Sequence, residues 1–142
     1  MDQTIRKLVC LYLFLGIATV FASFAFESSL PSSLQEYQTN GIVESMTGIT
    51  GVAYMIVTIA AVIHLISSVG LLLTKLWAKN WFIYSAISAI LPCFFIEAYV
   101  DNGIAYSIDQ LCMLVGGMIF ALLIFNSSYT EAALNKTLKR TP

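Results

Sequence analysis

Residues 70–81 read GLLLTKLWAKNW. The stretch joins two long uncharged apolar runs through a polar link, Thr74 to Asn80, that carries Lys75 and Lys79 and is flanked by Trp77 and Trp81. Two apolar segments meeting at a lysine-bearing bend, with indoles where lipid headgroups would lie, describe a membrane hairpin whose bend faces the cytoplasm.

Outward from that hairpin the same charge rule holds. All seven Lys and Arg residues fall in three segments: Arg6 and Lys7, then Lys75 and Lys79, then Lys136, Lys139 and Arg140. The polar segments between them hold Glu27, Glu36, Glu44, Asp101 and Asp109 and no basic residue. Basic residues are retained on the cytoplasmic side of a membrane, so the pattern predicts four crossings with both termini inside. The expected spans are about 8–26, 48–73, 81–100 and 109–128, with an outer loop at 27–47 and a cytoplasmic tail at 129–142.

Composition agrees with lipid as solvent. Of 142 residues 58% are hydrophobic and 11% charged, and the mean hydropathy is +0.83. A soluble domain carries roughly a quarter charged residues. The apolar runs are continuous over about 20 residues, whereas barrel strands alternate over about 10. The expected fold is therefore all-α: a single polytopic domain, an up-down-up-down bundle of four transmembrane helices. A net charge of −1 without a basic stripe speaks against a nucleic-acid partner. Three cysteines without C-x-x-C spacing provide neither a disulfide framework nor a zinc site, so no metal or cofactor is expected.

The first run resembles a signal peptide in one respect, with Arg6-Lys7 as a basic start and Ser23-Phe24-Ala25 as a cleavage-like end. It is longer than a usual apolar signal core and stays bulky throughout, which favours a retained span.

Hydrophobicity does not mark the buried face of a helix in lipid, but small and polar residues do. On the second run Thr50, Ala53, Tyr54, Ala60, Ala61, His64, Ser67 and Ser68 share a face; on the third Ser85, Ser88, Ala89, Pro92, Cys93 and Glu97 do. The first offers Tyr12, Gly16, Thr19 and Ser23, and the fourth Gly116, Gly117 and Ala121. Pro92 removes one backbone bond and is expected to kink the third helix. Gly116-Gly117 is expected to permit a close backbone crossing.

Two ionisable groups are left over once the charges are read as topology. Glu97 lies about one turn inside the expected outer surface, beside Asp101 and Asp109, where it either caps the helices in reach of water or holds a ligand or proton. His64 lies on the small face of the second helix; it either bonds Ser67, Ser68 or another helix, or relays protons. A direct His64–Glu97 couple is not expected, because their depths differ by roughly 10 Å at ideal rise.

The chain lacks the motifs that mark several four-crossing families. The first run has no acidic residue, unlike the small multidrug-resistance transporters, and no span holds the C-x-x-C pair of quinone-linked thiol oxidoreductases. The outer segments lack the cysteines of claudins and tetraspanins. Residues 70–81 resemble the inner hairpin of small bacterial four-helix membrane proteins, a likeness over a fraction of the chain that implies no particular activity; the expectation of a bacterial inner membrane comes from compactness and the absence of long soluble regions.

Without a nucleophile–base pair or an acid/base pair at usable spacing, the expectation is a non-enzymatic protein. It would bind another membrane component, as an accessory subunit or a toxin-immunity protein, or associate with copies of itself. The alternative is an oligomeric transport or channel subunit for a small solute, ion or proton that uses Glu97 and His64.

Overall fold

The computed structural model describes residues 3–26, 28, 30–36, 48–96, 102–125 and 131. Among these there is no strand. Four long helices carry the architecture: α1 (Gln3–Ala25), α2 (Gly48–Leu72), α3 (Leu76–Cys93) and α4 (Gly103–Phe125). A short helical turn at 32–36 follows Pro31, whose carbonyl accepts from the amides of Leu34 and Gln35.

Three of the helices, α1, α2 and α4, are long and apolar enough to cross a membrane, as a multi-pass membrane protein requires. Their outer faces suit lipid. Phe21 is 72% exposed, Phe24 75% and Phe125 86%, and large side chains stand bare along every helix, which a soluble monomer of this size would not tolerate. The fourth helix, α3, is 18 residues long, about 27 Å at ideal rise, and its first turns carry Lys79 and Asn80.

Helix boundaries depart from the hydropathy limits in four places, the first being α1, which starts at Gln3, five residues before the expected 8. The polar link expected at 74–80 shrinks to a turn at 73–75, and α3 starts at Leu76, five residues before the expected 81. Lysine is a good helix former, so polarity alone does not break the helix. What breaks it is backbone geometry: Lys75 N–H bonds Gly70 C=O at 3.0 Å and Thr74 N–H bonds Leu71 C=O at 3.1 Å. That 6→1 and 5→2 pair is a Schellman motif, and it puts Thr74 at φ +57°.

At its far end α3 stops at Cys93, short of the expected 100. Pro92 thus stands in the last turn and does not kink the middle of the helix. The amides of Phe94 and Phe95 bond back to Leu91 and Pro92 with the tighter i→i−3 spacing, which closes the helix where proline has removed a regular bond. Finally, α4 opens at Gly103, six residues before the expected 109. Asn102 caps it, its Oδ1 accepting from Ala105 N–H at 2.8 Å.

Contacts fix the helix directions. Gly70 lies against Ala78 and His64 against Ser85, so α2 and α3 run antiparallel. Tyr12 lies against Gly116 and the carbonyl of Ala22 against the Asn102 amide, so α1 and α4 do too. These two pairs pack along their lengths, whereas contact between the pairs is restricted.

Where the pairs do meet, every helix contributes to one apolar cluster: Ile5 and Val9, Leu71, Ala78 and Phe82, then Val115, Ile119 and Leu123. This core lies at the end of the molecule where α1 begins and α2 turns into α3. Arg6, Lys7, Lys75 and Lys79 therefore gather at the same end.

Candidate functional site

Away from that core, α3 and α4 diverge. The facing positions are small: Ala86 and Ala89 on α3, Gly116 and Gly117 on α4. With little side chain to fill the gap, a cavity of about 420 Å³ opens between the two helices. Met113 and Phe120 complete the α4 wall, and Ile90 and Cys93 extend the α3 wall. Tyr12 of α1 and Ala60 and His64 of α2 form its floor.

The floor is held by a polar and aromatic cluster. His64 Nδ1 lies 2.9 Å from Ser85 Oγ, and Ser85 Oγ donates to the Phe82 carbonyl at 3.0 Å. A serine hydroxyl has one proton to give, so His64 Nδ1 is the donor to Ser85 and the imidazole takes the Nδ1–H tautomer. Its Nε2 is then an acceptor, with no protein hydrogen-bond donor among the described residues. Rings enclose the imidazole: Phe82 at 4.1 Å between centroids and Tyr12 edge-on at 5.7 Å.

Ser67 and Ser68 are buried, but their hydroxyls bond the His64 backbone and not its imidazole. Both hydroxyls donate to the backbone carbonyl of His64 at 2.8 Å, which satisfies them within their own helix. Ser88 likewise bonds the Ser85 carbonyl at 3.0 Å and stays exposed. The partner of His64 is across the pair, on α3.

Other expected site residues are placed differently. Glu97 and Asp101 lie outside the described residues. Asp109 is exposed on α4 and lines no part of the cavity. A Cβ on Gly116 would meet the Tyr12 ring at 3.1 Å, a close approach, whereas Gly117 and half-buried Gly16 have nothing within 4 Å. The closest crossing is at Gly70 instead, where a Cβ would come within 2.8 Å of both Ala78 and the Trp77 ring. Cys112 is buried, with Sγ 3.7 Å from the Tyr12 carbonyl, and Cys10 and Cys93 are exposed. Among the described residues no three His, Cys, Asp or Glu side chains gather as metal ligands would.

Sequence reading also missed Phe82 and Asn102. Phe82 is fully buried, yet in an apolar helix nothing distinguishes it from a lipid-facing phenylalanine. Asn102 did carry a signal, since asparagine before a glycine-led apolar run is a favoured N-cap.

No protein-family model matches the chain, and no curated protein or solved structure is significantly similar to it.

Proposed function

We propose that this chain is a four-crossing protein of a bacterial inner membrane, with both ends on the cytoplasmic side, that works without catalysis by binding another membrane component in the α3–α4 cleft. Its role would be that of an accessory subunit or an immunity protein. The cleft itself carries the reading: a cavity of about 420 Å³ between two helices that part where their facing residues are small. In lipid such a gap is accessible sideways, and filling it restores dispersion contacts that the two walls otherwise lack. The gathering of Arg6, Lys7, Lys75 and Lys79 at one end supports the orientation.

Gly117 offers the test. It lines the cleft and a Cβ there meets nothing, so Gly117→Phe should fill the cavity and leave the helices in place. After mild detergent extraction from native membranes, the wild type is expected to carry a bound component that Gly117→Phe lacks. A bare wild-type protein would contradict the reading. For the orientation, a reporter active only in the cytoplasm should give signal after residue 75 or 140 and none after residue 35; the reverse overturns it.

A further inference from the structure

The height of the cleft limits its occupant. It runs from the level of Phe82 to that of Cys93, twelve residues whose eleven rises make about 16 Å of helix. A transmembrane helix would need a groove approaching the full hydrocarbon thickness of about 30 Å. The volume of about 420 Å³ lies in the range of small-molecule pockets, which run from about 300 to 1,000 Å³ and are apolar with a few placed polar groups.

Those polar groups sit on the floor that α1 and α2 provide. The bond from Ser85 to the Phe82 carbonyl commits His64 Nδ1 as donor and leaves Nε2 as a lone-pair acceptor. Tyr12 lines the same floor, and its hydroxyl is able both to donate and to accept. Such groups are costly to leave unsatisfied in hydrocarbon. A saturated chain would satisfy neither, and a carbonyl would have nothing to give to Nε2. A hydroxyl can give its proton to Nε2 and accept from Tyr12. The surrounding rings, with Tyr12 and Phe82 6.3 Å apart and the imidazole between 4.1 and 5.7 Å from them, favour an aromatic partner in edge or offset contact.

We propose that the cleft binds a lipid-soluble phenol, its hydroxyl at His64 and Tyr12, its ring against those same two half-buried rings, and its apolar tail leaving between α3 and α4 into the membrane. This rests on the reading of the cleft as a site for a membrane component and names that component as a small lipid-soluble molecule, so that contact with a protein partner, as an accessory subunit or immunity protein makes it, falls outside the cleft.

The experiment compares three probes with the same decyl chain, para-decylphenol, its methyl ether and decylbenzene, on the full chain in lipid nanodiscs, with empty nanodiscs subtracted. The phenol should bind saturably, one per chain, about tenfold tighter than either analogue, the effect of one or two hydrogen bonds. His64→Leu should abolish that preference, Tyr12→Phe should reduce it, and Gly117→Phe should remove saturable binding. Equal affinity for the three probes, or a preference surviving both His64→Leu and Tyr12→Phe, overturns the phenol assignment. If equal binding is still blocked by Gly117→Phe, the cleft remains a site for apolar membrane components and only the hydroxyl recognition falls. If no probe binds saturably, the phenol proposal falls, and the component carried by wild type and lost from Gly117→Phe after extraction decides the broader reading separately.

Discussion

His64 and Ser85 join the middle of α2 to the middle of α3 through a hydrogen bond of 2.9 Å. Ser85 is 4% exposed, so water does not readily replace either partner. Hydrogen bonds between membrane helices contribute about 0.6 kcal/mol on average and up to about 1.7 kcal/mol. Ser85→Ala and His64→Leu should each lower the unfolding midpoint in detergent. In a double-mutant cycle the two should couple within that range; a coupling indistinguishable from zero would remove the bond as a link between the helices.

Gly70 should be the least replaceable glycine of those compared above. Ordinarily Gly→Ala inside a helix stabilises by up to about 1 kcal/mol. At Gly70 the added carbon would lie 2.8 Å from Ala78 Cβ, and both are helix-borne atoms that move only if α2 and α3 separate. Overpacking of that kind costs about 1–3 kcal/mol, so the net sign reverses. Thermal unfolding of Gly70→Ala, Gly16→Ala and Gly117→Ala should show a marked loss for the first and none for the other two.

These glycines show where sequence reading stops. A small residue reports that close approach is permitted, and only the path of the neighbouring helix decides whether it occurs. Ala53, Ala60, Ser67 and Ser68 are buried, but Ala61, Gly117 and Ala121, of similar size, are exposed. Three apolar spans and the common end of Arg6, Lys7, Lys75 and Lys79 were legible because hydropathy and charge are local properties. Divergence of α3 from α4 was not, because it arises from the sum of facing residues on helices that are distant in sequence. Helix limits failed for another reason: Lys79 and Asn80 are polar yet helical, and the turn is set by the backbone of residues 73–75.

That turn is itself improvable. Thr74 takes a left-handed conformation, φ +57°, in the position of a Schellman motif that glycine usually occupies. A branched L-residue there is strained by roughly 1–2 kcal/mol, partly offset for glycine by its larger loss of chain entropy. Thr74→Gly should therefore raise the unfolding midpoint, by the equivalent of about 1 kcal/mol. A lowered midpoint would mean that the threonine side chain contributes more than its backbone costs.

Asn102 performs two tasks that substitution can separate. Its Oδ1 caps α4 at Ala105 N–H, 2.8 Å away, and its Nδ2 donates to the Ala22 carbonyl near the end of α1 at 3.3 Å. The residue is 3% exposed, so neither bond is readily exchanged for water. Loss of an N-cap costs about 1 kcal/mol, and leaving a buried acceptor unpaired costs about as much again. Asn102→Ala should lose both and expose the first amides of α4 to hydrogen exchange. Asn102→Asp keeps an oxygen for the cap but has no proton for Ala22, and it adds a buried charge. It should protect the α4 amides as the wild type does and still lower the midpoint. If the two variants exchange alike at residues 103–106, the side chain is not capping α4, and its contribution lies wholly in tying α4 to α1.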